Sequence, residues 1–502
     1  MSARPAPVAE GGHAQPRATR ALAAARAAQP AWAGRGVRGR LPVIAAFRRL
    51  LAEQAPRVAA AARGPHRRST AETVSAELLP LADAARFLER RAARILRPRR
   101  PAGWGPAWLG GVGLEVRREP LGVVLVIGPG NYPLLLPGVQ ALQALAAGNA
   151  VLLKPAPGGR PVALALAELL AAAGLPAGLL AVLPESPREA QAAIDAGVDR
   201  VVLTGSADTG SELLERLAPS LIPATLELSG CDACFVLADA DLELTARAVA
   251  FGMTLNGGAT CIAPRRIFVA RQHAAELERR LALRLDGSPP LPLPATTAER
   301  LAAVVGDALG QGARLVAGGA PSAAGVTPVL LADARPGMDL FAADLMAPVA
   351  GLCPVDSEEE ALDLAARCPY ALGATVFGGP RSAVRVAARA RAGVVVINDV
   401  IAPTADPRLT FGGRGRSGFG RTRGVEGLEE MTTTKTLVRR RTRWRPHLGP
   451  PRPHEERALF AILRLLHGGS LRRRLAALTE LSRAAGPSPG RNRSGGPQRS
   501  SR

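Results

Sequence analysis

The chain has 502 residues, of which 47% are hydrophobic, and it carries 64 Lys and Arg against 42 Asp and Glu, a net charge of +22. A chain of this length and hydrophobicity can bury at least two sizeable cores. Its five scattered cysteines do not form a disulfide framework, which favours a reducing, cytoplasmic location. No apolar run approaches the ~20 residues that span a bilayer, so we expect no membrane span.

The positive charge is concentrated at the two ends of the chain. Residues 1–40 hold seven Arg against one Glu, and residues 439–502 hold sixteen Arg against three Glu, so these stretches carry 19 of the 22 charges. Neither stretch alternates aromatic and basic residues, and we expect no specific nucleic-acid binding. We interpret 1–40 as a disordered basic tail and 441–502 as a second one. Within the latter, residues 458–481 could form an amphipathic helical pair. This pair would be a solvated appendage, or it would bind a partner or an anionic surface.

The predicted elements alternate between helices and strands. Helical periodicity covers 41–100, and 106–120 has the pattern of a hairpin. Short β-branched runs then predict strands at 123–128, 150–154, 179–184, 200–205 and 233–239. Predicted helices between these strands cover 137–148, 160–174, 186–197 and 206–218. This alternation predicts a parallel, doubly wound α/β sheet. A second α/β stretch follows, with predicted strands at 265–270, 349–355, 373–379 and 393–398.

One cysteine stands in a position that favours chemistry. Cys261 lies in "TLNGGATCIAPRR", between a glycine-rich loop and a predicted strand, where reactive groups are usually displayed. Only His273 lies between residues 67 and 446, so a cysteine–histidine relay is not expected. The base would then be a carboxylate, and Glu227 stands inside the apolar segment "ATLELSG", where burial would raise its pKa. The alternative is a buried glutamate satisfied by backbone amides.

Two further strand-to-helix turns carry polar residues. In "VIGPGNYPLLLPG" Pro133 interrupts the GxGxxG dinucleotide pattern, and Asn131 could offer its amide to a developing oxyanion or could cap a helix. In "LTGSADTG" free backbone amides and the Ser206 hydroxyl suit a phosphate, with capping again as the alternative. Cys231 and Cys234 form a single CxxC with no second pair, so we expect no metal site.

Seven motifs follow one another along the chain: "GPGNYP", "LLKPAP", "LTGSADTG", "LELSG", "NGGATC", "DLMAPV" and "FGGRGRSGFGR…GLEEMTTTKTL". Together, in this order, they make the chain resemble the aldehyde dehydrogenase superfamily from about residue 41 to 440. The interval of 34 residues from Glu227 to Cys261 agrees with that family, and both lysines of the chain, Lys154 and Lys435, lie within the motifs.

The resemblance implies a fold and an assembly. We expect N-terminal helices and a Rossmann-like cofactor domain over 41–230, and a second α/β catalytic domain over 231–412. A return segment with an oligomerisation strand would follow at 413–440, and the small bridging hairpin at 106–120 would join it in a homodimer or homotetramer.

The resemblance also implies a reaction, the oxidation of an aldehyde to a carboxylic acid. Cys261 would be the nucleophile, Glu227 the general base, and the Asn131 amide an oxyanion donor. NAD or NADP would contact the motif residues Pro129, Lys154, Gly205, Ser206, Leu228, Asp344 and Met346. The resemblance implies no metal ion.

Three departures from the family pattern bear on the cofactor. Pro157 replaces an acid that binds the adenosine ribose in many members. Without that acid a 2′-phosphate would be less repelled, and Arg160 is near enough in sequence to assist, so the use of NADP stays open. Asp344 and Met346 replace a glutamate and a phenylalanine, which would loosen the nicotinamide grip. Two alternatives stay open: a CoA-acylating aldehyde dehydrogenase, which the intact Glu227 disfavours, and a non-catalytic scaffold that binds anionic partners through its tails.

Overall fold

The computed structural model describes residues 17–62, 69–102, 105–109, 111–319, 325–440, 443, 445–449 and 455–484. The chain divides into two compact units, residues 1–97 with 118–434 and residues 98–117 with 435–502. Among the described residues, no helix combines the length and the apolarity needed to cross a bilayer.

The helices of the described residues are α1 Arg17–Gly34, α2 Gly36–Glu53, α3 Ala55–Ala61, α4 Thr70–Thr73, α5 Leu79–Ile95, α6 Leu135–Ala147, α7 Arg160–Ala172, α8 Pro187–Asp195, α9 Ala207–Leu217, α10 Leu242–Thr254, α11 Ala274–Leu285, α12 Ala295–Gly310, α13 Glu358–Ala366, α14 Ser382–Arg389, α15 Gly424–Glu430, α16 Glu455–His467 and α17 Leu471–Ala484. A π-helical turn, Val74–Leu78, joins α4 to α5. Short 3-10 turns lie at Ala107–Leu109, Ala218–Ser220, Leu255–Gly258, Arg271–His273, Asp339–Phe341, Ala402–Ala405 and Pro446–Leu448.

The strands are β1 Val112–Pro120, β2 Val123–Ile127, β3 Ala150–Lys154, β4 Leu180–Val182, β5 Arg200–Gly205, β6 Ala224–Leu228, β7 Asp232–Val236, β8 Pro264–Ala270, β9 Arg314–Ala317, β10 Val329–Ala332, β11 Val349–Val355, β12 Gly373–Phe377, β13 Val394–Ile397, β14 Gly418–Phe419 and β15 Thr432–Arg440.

Two parallel sheets dominate the larger unit. The first has the order β14-β6-β5-β2-β3-β4, with β14 alone antiparallel, and the second has the order β13-β12-β7-β8-β11-β10-β9, with β9 alone antiparallel. Buried β-branched and leucine residues fill the strands of the first sheet, as expected where a parallel sheet is covered on both faces. The predicted α/β class with a parallel cofactor-type sheet is confirmed. Strands β9 and β10 were not predicted, because they are short and carry no alternating pattern.

The expectation of a disordered tail over 1–40 is wrong for residues 17–40. Residues 1–16 lie outside the description, but α1 and the start of α2 are ordered helices of the larger unit. The indole N–H of Trp32, a buried residue, donates to the carbonyl of Leu145 at 2.9 Å. Alanine and arginine are strong helix formers, so a composition that resembles a basic tail also suits a helix with an apolar face.

The expectation of a hairpin at 106–120 is also wrong. Residues 103, 104 and 110 lie outside the description, but 107–109 form a 3-10 turn and only one strand, β1, follows it. β1 forms a two-stranded sheet with β15, more than 300 residues away in the chain. Local sequence cannot reveal such a partner. The role of these segments in a homodimer or homotetramer stays a prediction.

The Arg40 side chain joins the N-terminal helices to the first sheet layer. Its guanidinium donates to the carbonyls of Ala146 and Ala147 at the end of α6, at 3.0 and 3.2 Å, and to the carbonyl of Ala33 in α1 at 3.0 Å. Helix C-termini leave such carbonyls without intrahelical partners, and a cation there is favourable. Burial lowers the pKa of Arg40 to about 10.

We predict that Arg40→Met lowers the stability of the folded protein by about 2–4 kcal/mol, because buried carbonyls lose a charged donor. Thermal unfolding followed by circular dichroism measures the effect. Arg38→Met is the matched control, since Arg38 lies on the same helix but is exposed. Equal losses of stability in both variants would contradict this account of Arg40.

Candidate active site

The loop before Cys261 has a constrained backbone. Asn256, Gly257 and Gly258 have φ values of +53°, +64° and +78° in succession. A Cβ atom on Gly258 would lie 2.4 Å from the backbone nitrogen of Pro348, so only glycine fits this close approach. The left-handed turn ends α10 and places Cys261 just before β8.

The predicted oxyanion motif and the cysteine loop are held together by side-chain amides. The Asn256 amide donates to the Asn131 carbonyl at 2.9 Å, and the Asn131 amide donates to the Ala259 carbonyl at 2.8 Å. The Tyr132 and Thr260 hydroxyls are 2.8 Å apart. Asn131 is not a helix cap, because α6 begins later and has no side-chain cap.

Two acidic side chains that sequence reasoning missed fix these two loops. Glu72 of α4 accepts the backbone N–H of Asn256 at 2.7 Å. Glu77 of the π-helical turn, itself buried, accepts the N–H groups of Leu134 and Leu135 at 2.7 and 2.9 Å. π-Turns of this kind are frequent at functional sites. The available signal was the presence of acids within the apolar run "ETVSAELLPLA".

Arg265 ties the cysteine loop to the segment before β11, and sequence reasoning missed it as well. Its buried guanidinium donates to the carbonyls of Gly258 and Ala347. Burial lowers its pKa to about 10, with Asp232 among the acids that oppose the shift. The guanidinium therefore takes the place of water for two loop carbonyls.

Glu227 on β6 is buried, at 3% exposure, with one oxygen engaged and one not. Its Oε2 accepts the Thr422 hydroxyl at 3.0 Å and the Gln140 amide at 3.5 Å. Its Oε1 has no hydrogen-bond partner among the described residues. Side chains rather than backbone amides thus hold this carboxylate, so the alternative of a backbone-satisfied glutamate is wrong. Burial raises the pKa of Glu227, opposed by the charge of Arg423.

Cys261 lies where two cavities meet. One, of about 250 Å³, is lined mainly by apolar side chains, among them Leu135, Leu136, Phe251, Ile262, Ile401 and Phe411. The other, of about 430 Å³, is lined by all ten residues that the resemblance implied: Pro129, Asn131, Lys154, Gly205, Ser206, Glu227, Leu228, Cys261, Asp344 and Met346. The structure therefore brings every predicted site residue to one cavity.

The second cavity combines a cation, a helix N-terminus and a carboxylate. Lys154 is buried at the end of β3, and burial lowers its pKa, opposed by Glu185. Ser206 caps α9, since its hydroxyl accepts the Thr209 N–H at 3.2 Å. The capping interpretation of Ser206 is therefore confirmed, and the same turn lines the cavity. Burial raises the pKa of Asp344, opposed by the neighbouring Ser229 hydroxyl and by the charge of Arg300.

Cys231 and Cys234 of the CxxC segment pack in different places. Cys234 lies in a core cluster of the second sheet, whereas Cys231 belongs to the cluster around the first sheet. Cys231 interacts with the thiol of Cys368, and this interaction together with burial raises the pKa of Cys231. The two side chains of the motif do not act as a pair.

The model of the aldehyde dehydrogenase family matches residues 6–437. The chain belongs to this family. It is 33% identical over 395 residues to 4,4'-diapolycopene aldehyde oxidase of Methylomonas sp, covering 75% of this chain and 74% of that protein. A Mycobacterium tuberculosis protein with the provisional name succinate-semialdehyde dehydrogenase [NADP(+)] 2 is 34% identical over 466 residues, 88% of each chain.

Solved structures of the family have the same fold. The crystal structure of Mycobacterium tuberculosis aldehyde dehydrogenase complexed with NAD+ superposes with a TM-score of 0.78 at 29% identity. The match covers 84% of this chain and 89% of that one. The predicted family and its fold are confirmed.

In this family member the thiol of Cys261 is held in its protonated form. Burial, with smaller contributions from the carboxylates of Glu227 and Asp232, raises the pKa of Cys261 to about 12, and the charge of Arg423 opposes this shift. The Arg423 guanidinium is fixed by the Thr404 carbonyl, to which it donates at 2.6 Å, and lies 4.5 Å over the Phe411 ring. One cation and two acids therefore set the fraction of thiolate.

We predict that iodoacetamide alkylates Cys261 at a rate rising roughly tenfold per pH unit up to about pH 10, because the thiolate reacts and its fraction is small. At pH 9, Glu227→Gln should speed the reaction, since it removes a negative charge that raises the pKa of Cys261. Arg423→Met should slow the reaction, since it removes a positive charge that lowers this pKa. Mass spectrometry of the Cys261 peptide gives the rate.

The Cys261→Ser variant, which keeps the other four cysteines, supplies the background for this measurement. A rate that does not change between pH 7 and 10, or a slower rate in Glu227→Gln, would contradict the assignment of a protonated thiol facing this carboxylate.

Proposed function

We propose that the protein oxidises an aldehyde to a carboxylic acid with NAD or NADP, through a thioester on Cys261. The observation that supports this most is the position of the thiol at the junction of an apolar cavity and a polar one. An aldehyde in the first cavity and a dinucleotide in the second would both reach the sulfur. Glu227 lines the second cavity, and one of its carboxylate oxygens has no hydrogen-bond partner among the described residues, so it adds a base.

The residues of the second cavity fit a dinucleotide. The buried Lys154 ammonium is suited to hydroxyl or phosphate oxygens, and the exposed N–H groups at the start of α9 suit a pyrophosphate. Asp344, at the opposite end of the motif order, would hold the hydroxyls of the second ribose. When bound, the nicotinamide ring supplies the acceptor for the hydride that the aldehyde carbon loses.

The Cys261 thiol loses its proton to solvent, the resulting thiolate attacks the carbonyl carbon, and the carbonyl oxygen gains the negative charge as the C=O π bond breaks. The Asn131 amide and the Cys261 backbone N–H are the donors proposed for this oxygen. Asn131 is oriented for the task by its own bond to Ala259, which keeps its amide beside the cysteine loop. Fixed donors stabilise the developing charge without reorganisation, because they already point to the place where it forms.

After hydride loss the acyl group remains on Cys261 as a thioester, and Glu227 completes the reaction. Its raised pKa suits a general base that takes a proton from water near neutral pH. Thr422 and Gln140 hold one carboxylate oxygen and leave the other for that water. The activated water adds to the acyl carbon, the C–S bond breaks, and the acid leaves with the thiolate restored.

The lining of the first cavity favours aldehydes with an apolar chain. Apolar side chains form most of its lining, with leucine, isoleucine and phenylalanine the largest of them, and burial of alkyl groups against them is favourable. Its one cation, Arg423, is already engaged by a carbonyl and a ring. The name of the Methylomonas relative gives 4,4'-diapolycopene aldehyde as that protein's substrate, whereas the carboxylate of a short semialdehyde would need the Arg423 charge.

The alternatives carried from the sequence are weaker. A CoA-acylating enzyme needs no base for water, yet Glu227 is buried, oriented and free at one oxygen. A scaffold without catalysis would not keep a nucleophile between two cavities. Proteins of the family are cofactor-dependent oxidoreductases, and the geometry at Cys261 suits that chemistry.

We predict that Cys261→Ser abolishes oxidation of aliphatic aldehydes, whereas Glu227→Gln retains one burst of NAD(P)H and then slows about 10²–10⁴-fold, because hydrolysis loses its base. Absorbance of the reduced nicotinamide, recorded by stopped flow, distinguishes the two phases. Turnover that requires free CoA would favour the acylating alternative, and loss of the burst in Glu227→Gln would contradict the role given to Glu227.

We predict that Lys154→Met weakens NAD+ and NADP+ binding about 10–100-fold, because one charge-assisted hydrogen bond is lost. Calorimetric titration with each cofactor measures this without turnover. Lys435→Met is the matched control, since Lys435 is the other lysine of the chain and lies on β15. Unchanged binding in Lys154→Met would contradict the proposed cofactor position.

A further inference from the structure

The second unit contains a helical hairpin with a large exposed apolar surface. Helices α16 and α17 are joined by the turn 468–470 and pack on each other, burying Ala461 and Ala477. Leucine side chains elsewhere on the pair remain exposed, for example Leu463 at 56% and Leu475 at 62%. The exposed apolar set is Leu459, Phe460, Leu463, Leu466, Leu471, Leu475 and Leu478.

The spacing of these residues shows that each helix has two apolar faces. Leu459, Leu463 and Leu466 of α16 are separated by four and three residues, so they share a face that differs from the one carrying Ala461. On α17 the leucines at 471, 475 and 478 repeat the same spacing. One face of each helix is used by the hairpin itself, and the second face has no partner within the described residues. Contiguous apolar patches of this kind mark interaction surfaces.

The charge of the hairpin indicates what kind of surface it meets. Residues 455–484 carry six Arg against three Glu, and residues 439–502 carry a net charge of +13. Three of these, Arg472, Arg473 and Arg474, lie in the first turn of α17, where the helix dipole disfavours cations. Their position costs helix stability, so helix formation does not explain them.

A second copy of the chain is a poor occupant, because two hairpins with the same strong positive charge repel each other. A membrane surface rich in anionic lipid attracts arginine and accepts leucine at the boundary between headgroups and acyl chains. We propose that the hairpin of α16 and α17 binds peripherally to an anionic membrane surface, with its exposed leucines inserted and its arginines against lipid phosphates.

The test uses the full chain and two kinds of unilamellar vesicle, phosphatidylcholine alone and phosphatidylcholine mixed with phosphatidylglycerol. Flotation should recover the protein with the mixed vesicles and at least about tenfold less with the zwitterionic ones. Added salt should weaken the binding, since the lipid charge is screened. Equal recovery with both vesicles, unaffected by salt, would overturn the proposal.

Two double variants separate the apolar and the charged contributions. Leu463→Gln with Leu475→Gln should weaken binding about tenfold or more, because two inserted side chains become polar. Leu221→Gln with Leu283→Gln is the matched control, since both leucines are exposed, at 87% and 66%, in the larger unit. This control should bind as the unmodified protein does, and equal weakening of both would overturn the proposal.

The charge variant is Arg472→Gln with Arg473→Gln, which leaves all leucines in place. It should reduce binding to mixed vesicles several-fold and flatten the salt dependence, whereas Arg38→Gln with Arg381→Gln, at exposed sites elsewhere, should not. Sedimentation of the leucine variants distinguishes the rival occupant. A fall in mass in Leu463→Gln with Leu475→Gln, without vesicle binding by the unmodified protein, would assign the surface to a second copy. None of these readouts depends on aldehyde turnover.

Discussion

The site depends on a backbone constraint, three successive left-handed residues just before Cys261, the proposed nucleophile. Asn256 is the only one of the three with a side chain, and that side chain is used to bond the loop carrying Asn131. Glycine adopts left-handed backbone readily and asparagine tolerates it, and contacts with the surroundings fix the turn in place. Three contacts fix the turn. Gly258 packs closely against Pro348, Arg265 donates to the loop carbonyls, and Glu72 accepts the Asn256 N–H. The geometry around Cys261 is thus set by residues that do not line either cavity.

Burial acts on Cys261 and Glu227 in the same direction and with different consequences. Both groups are anionic when ionised, so desolvation raises both pKa values. For the glutamate this brings the pKa nearer to the range useful for a base. For the thiol of Cys261, the proposed nucleophile, it favours the protonated form, and the charge of Arg423 opposes the shift. A bound dinucleotide or aldehyde would alter this balance by displacing water, which couples occupancy of the cavities to reactivity.

Much of the fold and nearly all of the cofactor cavity could be predicted from the sequence. Strands such as 150–154 and 200–205 have bounds that coincide with the predicted ones, because buried parallel strands are continuous β-branched and leucine runs. The positioning residues Glu72, Glu77 and Arg265 could not be found this way. Each of them contacts the backbone of a segment distant in sequence, and the residues next to it in the sequence do not indicate that contact. The partner of β1 was missed for the same reason.

The two arginine-rich ends of the chain have the same composition and different structures. In residues 17–40 the apolar side chains of Leu22 and Trp32 are buried, and the Arg40 guanidinium donates to helix carbonyls. Both the charge and the apolar surface of this end therefore contribute to the folding of the larger unit. In residues 455–484 leucines stay exposed and arginines stand where a helix disfavours them. Composition cannot separate these cases, because alanine, leucine and arginine favour helix in both. Burial separates them: the first end has used its apolar face in folding, whereas the second still has one available for binding.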